Sequence, residues 1–498
     1  MSNEWEIVIG LEVHVQLHTR SKVFASSSWG FGKEPNEQVD PVVLGLPGTL
    51  PVVNREAVEK AILFGLVVDA EIPEQCAWDR KNYFYPDNPK NYQLTQKDFP
   101  VTMGGKVEIE LPGAARNIMG EHKWIRIHHA HLEEDVGKLS HSGSGSLVDY
   151  NRAGVPLLEI VTEPDLRSSA EAAAFLNALV VKLTQAGVAD CDMEKGQLRC
   201  DANVSVRRMG DIQLGTRTET KNLNSISGVR DCIIYESKRQ IAQIEAGNKI
   251  TQETRGWNAE MSRGYVLRDK EDAHDYRYFP DPDIPTLKIS RETVNRLQKL
   301  VPEAPFDRQR RYIEKLNLPY TAASVLIADK ALADWFETAV AAHPTNAVGI
   351  ANWAANDLLR ELSVQSGAEI GSDETPVAKI SLESCLIKPA QLAGLVKLTD
   401  EGVISKQQAK EVFTEMFKTG KDALAIVEAK GLRQNSDTGE LEKIVAEVIA
   451  DPAVAKSIAE YRAGNEKAIN ALKGPIMKRT QGKANPVMID QLLRKLLG

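Results

Sequence analysis

The chain has few cysteines, five in 498 residues (Cys76, Cys191, Cys200, Cys232 and Cys385), and no two form a C-x-x-C pair. That scatter argues against both a disulfide framework and a structural zinc site, and it fits a reducing compartment. No uninterrupted apolar run approaches the roughly 18 residues that a membrane span needs. The start, Met1-Ser2-Asn3-Glu4-Trp5-Glu6, lacks the basic-then-apolar order of a secretory leader. A soluble, cytoplasmic protein with no membrane partner is therefore expected. There is no G-x-x-x-x-G-K-[ST] loop and no G-x-G-x-x-G after a strand, so neither common phosphate loop holds a nucleotide here. Nor is there a nucleophile elbow or a Cys/His pairing that would mark a catalytic thiol. A formal charge of −8 excludes a general basic coat for nucleic acid, so any such contact must be local. From Lys406 onward 16 Lys/Arg stand against 12 Asp/Glu, a net of +4 that leaves −12 for the first 405 residues.

What is present divides into a mixed α+β front of residues 1–290 and two all-α modules, 291–400 and 401–498. In Ile7–Leu17 strict period-two alternation puts Glu12, His14 and Gln16 on one face of a strand. Helices are expected over Arg55–Val68 with Asn54 as N-cap, over Ser168–Ala186, and over about Gly228–Ala246. Further strands are expected at Lys106–Leu111, Lys123–Leu132, Arg199–Val206 and Thr216–Lys221. Asp79–Gln93 is too rich in proline for a helix, a Gly/Ser loop follows Asp135, and the prolines of Tyr276–Pro285 mark a boundary.

The chemistry concentrates between Ile127 and Glu163. His128, His129, His131, Glu133, Glu134 and Asp135 lie within eight residues, and Glu159 sits among Leu157, Leu158, Ile160 and Val161. A carboxylate on an apolar strand face is costly unless a cation, a donor or a metal meets it. Together with Glu12 and His14, the acids Glu133, Glu134 and Glu159 make an oxygen-rich set with one imidazole, which suits Mg²⁺ or Mn²⁺ better than zinc. A solvated sheet face with ordinary surface charge explains all of these residues but Glu159. The aromatics of Asp79–Gln93, interleaved with Arg80, Lys81 and Lys90, either stack on bases or brace a surface loop. Arg199, Asp201 and Asn203, with Arg217, Glu219 and Lys221, either line a polar cleft or pair across a wet sheet face. In the last 26 residues Lys473, Lys478, Arg479, Lys483, Arg494 and Lys495 stand against Asp490 alone, the one place a phosphate backbone would be welcome.

These stretches jointly resemble the B subunit family of the bacterial glutamyl/aspartyl-tRNA amidotransferase. The resemblance is carried by IGLEVHVQL (9–17), LGLPGTLPVVN (44–54), DRKNYFYPDNPKNYQ (79–93), HLEEDVGK (131–138), SLVDYNRAGVPLLEIVTEPD (146–165), LRCDANVSVR (198–207), GTRTETKNLNS (215–225), YRYFPDPDIP (276–285) and KGPIMKRTQGKANP (473–486). It spans essentially the whole chain. It implies a cradle-like α+β catalytic domain with a mixed or antiparallel sheet, then a helical domain and a helical tail that binds tRNA through Lys473, Lys478, Arg479 and Lys483. The implied activity is ATP-dependent transamidation of mischarged Glu-tRNA(Gln) or Asp-tRNA(Asn) through a phosphorylated aminoacyl intermediate. Ammonia comes from an amidase A subunit, a small C subunit completes a heterotrimer, and the cofactors are Mg²⁺ and ATP.

By the same resemblance Glu12, His14, Glu159 and one or both of Glu133 and Glu134 carry over as metal ligands, with His128 and His129 structural. Glu12, His14, Lys81 and Lys221 are the expected catalytic residues, and Arg80, Asn82, Tyr83 and Arg152 surround the nucleotide or acceptor end. The rival reading is a tRNA-binding scaffold whose catalysis lies wholly in its partners. Many relatives carry a four-cysteine zinc knuckle where residues 24–43 of this chain have no cysteine. Zinc is therefore not expected, and metal analysis of the purified protein should find none in stoichiometric amount. One zinc per chain would overturn that expectation.

Overall fold

The structure, a computed structural model, describes residues 4–269, 275–366, 382, 385–434, 438–480, 484 and 486–498. These fall into two compact units, one ending at Gln309 and one beginning at Arg310. In the first unit the chain runs β1 (Trp5–Gln16), α1 (Arg55–Val67), β2 (Gln75–Cys76), β3 (Asp79–Asn82), β4 (Tyr92–Thr95), β5 (Thr102–Met103), β6 (Lys106–Glu110), β7 (His122–Glu134), β8 (Lys138–Ser142), β9 (Gly145–Asp149) and β10 (Pro156–Thr162). It continues through α2 (Ser169–Gln185), β11 (Leu198–Arg208), β12 (Thr218–Leu223), α3 (Ile226–Glu245), β13 (Glu253–Asn258), β14 (Arg263–Asp269), β15 (Phe279–Pro280), β16 (Leu287–Lys288) and α4 (Arg291–Gln298). The helix starts follow local chemistry. The side chains of Asn54, Ser168 and Ser225 accept from the backbone N–H groups of Glu56, Glu171 and Gly228, satisfying donors that a helix leaves open.

Nine strands form one sheet in the order β14-β13-β12-β11-β1-β10-β7-β5, with β6 on β7. Every pairing is antiparallel except β12 with β13, so the sheet is mixed. Its inner face is apolar: Ile9, Leu11, Val13 and Val15 of β1, Leu158 and Ile160 of β10, and Cys200, Ala202 and Val204 of β11 are buried in one core. Phe64 of α1, Phe175 and Leu179 of α2, and Val229 and Ile233 of α3 join that core. Each such large apolar side chain contributes on the order of 2 kcal/mol when fully buried. The other face carries the complementary half of every alternation. Glu12 and His14 of β1 lie opposite Asp201 and Arg199 of β11 on one side, and opposite Val161 and Glu159 of β10 on the other.

Strand β7 keeps its inner side apolar only by changing phase. Ile125 and Ile127 are buried in the core, and so are Ala130 and Leu132. The extra residue is a bulge: Thr162 of β10 pairs with Ile127, while Val161 pairs with His129, leaving His128 without a partner on β10. After the bulge His129, His131 and Glu133 point to the polar face, and Glu134 points to the core side.

Several expectations change on folding. The Gly/Ser stretch after Asp135 is not a loop but the β8/β9 hairpin, turned at Gly143 with φ +58°. Asp79–Gln93 supplies a second hairpin, β3 with β4. Tyr276–Pro285 is not a boundary, because β15 pairs with β3 and Asp281 and Asp283 bind Arg80. Ser290 caps α4, whose Arg296 meets Glu59 of α1 at 2.7 Å, so the first unit continues past residue 290. The cysteine-free segment 24–43 is pinned by hydrogen bonds. The Asp40 carboxylate accepts from the N–H groups of Ser27, Val42 and Val43, and Asn36 and Gln38 bond to Val148 and Asn151.

The elements of the second unit are all helices among its described residues. Lys406–Thr419 and Ala423–Ala429, expected in the tail module, pack on Pro389–Asp400. Leu441, Val445, Leu472, Ile476, Ile489 and Leu493 form a core of their own near the C-terminus. The fold is α+β, as the residue patterns predict. Among the described residues no helix is long and apolar enough to cross a membrane.

Candidate active site

The site is assembled by strand register. Glu159 of β10 lies between His14 of β1 and His131 of β7, the residues directly opposite it on either side. Cross-strand neighbours of this kind have Cβ atoms about 5 Å apart, close enough for their side chains to meet. His14 Nε2 is 3.2 Å and His131 Nε2 3.4 Å from Glu159 Oε2. Glu133, two residues beyond His131 on the same face, is only 3% exposed and comes within 3.9 Å of His131 Nε2. Its Oε2 is buried and has no hydrogen-bond partner among the described residues. From His131 the imidazoles continue outward, with His131 Nδ1 3.2 Å from His129 Nε2 and His129 Nδ1 2.7 Å from His128 Nδ1.

His14, Glu133 and Glu159 each offer one ligand atom, and these atoms lie within 4.8 Å of one another. Two ligands of one Mg²⁺ at about 2.1 Å stand at most about 4.2 Å apart, so small side-chain movements suffice to close on an ion. The orphaned Glu133 oxygen and the oxygen-rich donor set both fit a hard divalent cation. Glu12 belongs to a neighbouring group with Asp201 and Glu219, again within 4.8 Å. Lys221 Nζ bridges Asp201 at 3.2 Å and Glu219 at 2.9 Å, and Asn203 donates to Glu12 at 2.9 Å. Glu134 is not part of either group. On the core side of β7 it accepts from Lys90 Nζ at 2.5 Å and from the Leu94 N–H at 2.9 Å. The one-residue offset between Glu133 and Glu134 thus sends two adjacent carboxylates to opposite faces.

The other expected residues separate by what they already hold. Lys81 makes no ion pair among the described residues. Its Nζ lies 5.1 Å from the centre of the Tyr276 ring. Arg80 is taken up by Asp281 at 2.6 Å and Asp283 at 3.0 Å, and it covers the Tyr92 ring. Asn82 donates to the carbonyls of Tyr276 and Arg277, and Tyr83 packs edge-on to Tyr276. Arg152 holds the carbonyls of Val136 and Gly137 and lies 3.6 Å from Asp135. In the tail Lys473 pairs with Asp490, and Arg479 pairs with Glu447 and Asp451. Lys478 is exposed, and Lys483 lies outside the described residues.

Burial and these neighbours set the charge states. Burial alone would depress His14, but the Glu159 carboxylate overrides it and pushes the imidazole up to about 9. His131 is raised in the same way, against its burial, by Glu159. The two imidazoles hold Glu159 well below the usual carboxylate range, although burial opposes them. His129 goes the other way, down to about 4, through burial and the adjacent His131 and His128. Glu12 is pushed up by burial and by the charges of Glu159 and Glu219. Lys81 and Lys221 stay charged despite burial, the first through Glu133 and the second through Asp201 and Glu219.

Sequence reasoning placed Arg199 and Asp201 together on one strand face, as a polar cleft or as cross-strand pairs, but it missed His131. Strand pairing then sets Asp201 opposite Glu12 and Arg199 opposite His14, which joins that face to the cluster. Arg199 donates to Asp135, which is buried and also accepts from Gln16. His131 could not be placed, because the bulge at His128 sets its phase.

Comparison with known proteins covers nearly the whole chain. Residues 7–295 match the family described as the GatB/GatE catalytic domain, and residues 334–497 match the GatB domain. The chain is 52% identical over 495 residues to the B subunit of the aspartyl/glutamyl-tRNA(Asn/Gln) amidotransferase of Opitutus terrae, covering 99% of each chain. It is 48% identical to the protein of that name from Burkholderia multivorans, covering all of both chains. It is 46% identical to that from Carboxydothermus hydrogenoformans, covering 99% of each.

If His14 is a ligand, cation binding must displace the proton that Glu159 holds on it. Affinity for Mn²⁺ is then expected to rise as pH climbs from 6.5 towards 9, with proton release seen by calorimetry in buffers of different ionisation enthalpy. In the cation-free protein the raised His14 contributes stability that is fully present below 6.5 and is lost as pH rises through about 9. Mn²⁺ binding that is independent of pH would remove His14 from the ligand set.

Proposed function

The chain belongs to the family of aspartyl/glutamyl-tRNA amidotransferase B subunits, and from that premise we propose that its polar sheet face activates and amidates the side-chain carboxylate of mischarged tRNA. As a member of that family it is part of a glutamine-hydrolysing ligase that acts on tRNA. The observation that carries the finer reading is the cluster around Glu159: buried acids, two imidazoles and an orphaned carboxylate oxygen on one face of the sheet.

A carboxylate is a poor acyl donor, so amidation requires activation first. In the proposed sequence, an oxygen of the aminoacyl carboxylate attacks the γ-phosphorus of ATP and ADP leaves, giving an acyl phosphate. Ammonia then attacks the acyl carbon, inorganic phosphate departs with the bonding electrons, and a proton is lost to give the neutral amide. His14, Glu133 and Glu159 would hold Mg²⁺, with Glu12 beside them. A bound Mg²⁺ supplies charge neutralisation for phosphoryl transfer. Lys81, charged and without an ion pair among the described residues, would meet anionic oxygens near Glu133 and Glu159. Lys221, held between Asp201 and Glu219, keeps that acidic pair in place beside Glu12. The absence of a phosphate loop and of an amidase nucleophile fits a protein with its own nucleotide pocket and imported ammonia. An amidase A subunit would supply that ammonia, and a small C subunit would complete the complex.

Two experiments test this reading. Glu12→Ala and Glu159→Ala are each expected to abolish ATP-dependent formation of amidated tRNA by the assembled complex while tRNA binding persists. Unchanged turnover in both variants would instead favour a tRNA-binding scaffold. Lys473→Ala, Lys478→Ala and Arg479→Ala together, which leave the core of that module in place, are expected to weaken tRNA binding and flatten its salt dependence. The same affinity and salt slope would show that the basic end makes no phosphate contact.

A further inference from the structure

Tyr276 and Tyr278 have no part in the chemistry above, yet they come from a distant segment to the edge of the carboxylate cluster. Tyr276 meets Tyr83 with ring centres 6.2 Å apart, and Tyr278 meets Tyr276 at 5.9 Å, both edge to face. Lys81 Nζ lies 5.1 Å from the Tyr276 ring and Lys97 Nζ 4.7 Å from the Tyr278 ring. The charges of Glu133 and Glu159 reach both Lys81 and Tyr278, so this wall adjoins the cluster. It does not belong to the core. Tyr276 and Tyr278 are only half-buried, and Phe279, next to Tyr278 in the chain, is 44% exposed. The backbone between the tyrosines is held in a conformation that L residues avoid, with Arg277 at φ +46°. Asn82 clamps it, its side chain donating to the Tyr276 carbonyl at 3.1 Å and the Arg277 carbonyl at 2.9 Å. Strain maintained by a dedicated clamp points to a function for the rings it positions.

We propose that Tyr276 and Tyr278, with Tyr83, form a stacking wall for an adenine ring, whose attached phosphates meet Lys81 and Lys97. Half-exposed aromatic rings flanked by ammonium groups suit a purine joined to phosphate. Two substrates of the reaction proposed above carry that ring, ATP and the terminal adenosine of tRNA, and the inference rests on that reaction.

Equilibrium binding to the assembled complex distinguishes the two sources. It is measured with ATP, with uncharged tRNA, and with tRNA lacking its terminal adenosine. Tyr276→Leu and Tyr278→Leu are expected to weaken one adenine-bearing ligand on the order of 10-fold, the loss of one stacked base. Tyr276→Phe and Tyr278→Phe should bind as the unmodified protein does. Weaker binding of ATP alone identifies the nucleotide. Weaker binding of intact tRNA, with the truncated tRNA unaffected, identifies the acceptor end. The proposal is overturned if no affinity changes, if the Phe variants lose as much as the Leu variants, or if truncated tRNA weakens equally. Amidation by the unmodified complex is followed separately. Its absence would remove the proposed reaction, while the binding results still decide whether the wall takes adenine.

Discussion

A carboxylate flanked by two imidazoles is the interaction around which the polar face is arranged. Glu159 sits on a central strand with its side chain only 15% exposed, where an isolated charge would cost several kcal/mol. Antiparallel pairing resolves this by placing His14 and His131 directly across from it, one on each neighbouring strand. Burial opposes the charge on both imidazoles, yet Glu159 raises both, His14 to about 9, and they in turn hold the carboxylate well below its usual range.

The same strands must also close a hydrophobic core on their other side, and that requirement explains the less obvious placements. Glu133 and Glu134 are neighbours in sequence with different surroundings. One faces the cluster with an oxygen that has no hydrogen-bond partner among the described residues, and the other is neutralised by Lys90 from the core side. The bulge at His128 lets β7 keep apolar residues inward on both halves while turning three consecutive alternate residues toward Glu159. The histidine-rich run therefore serves the site through one displaced residue rather than through its count of imidazoles.

Charges elsewhere are committed to architecture. Arg80, for all its suitability as an anion ligand, is locked by Asp281 and Asp283 and ties β15 to β3. That tie brings the tyrosines of the 276–278 segment alongside Lys81. In the second unit the basic tail is partly neutralised by acids that lie far from it in sequence, Glu442, Glu447 and Asp451 among them. Such exposed pairs are weak, worth well under about 1 kcal/mol each, so a phosphate backbone can compete for the same side chains.

Much of the fold follows from local pattern. Period-two alternation in Ile7–Leu17 and Leu198–Val206 already assigns Glu12, His14, Arg199 and Asp201 to one side of a strand. The capping residues Asn54 and Ser168 set two helix starts within a residue, and the long motifs carry the family. Hairpins whose turns lie in Gly/Ser stretches, and strands such as β13 and β14 with little alternation, show no comparable signal. That Glu133 rather than Glu134 faces the cluster, that His131 joins it, and that Asp281 captures Arg80 were decided only by tertiary structure. Side-chain direction along a strand is a local property with a period of two. Which strands lie side by side, and where a bulge shifts their phase, depends on a core built from residues hundreds of positions apart.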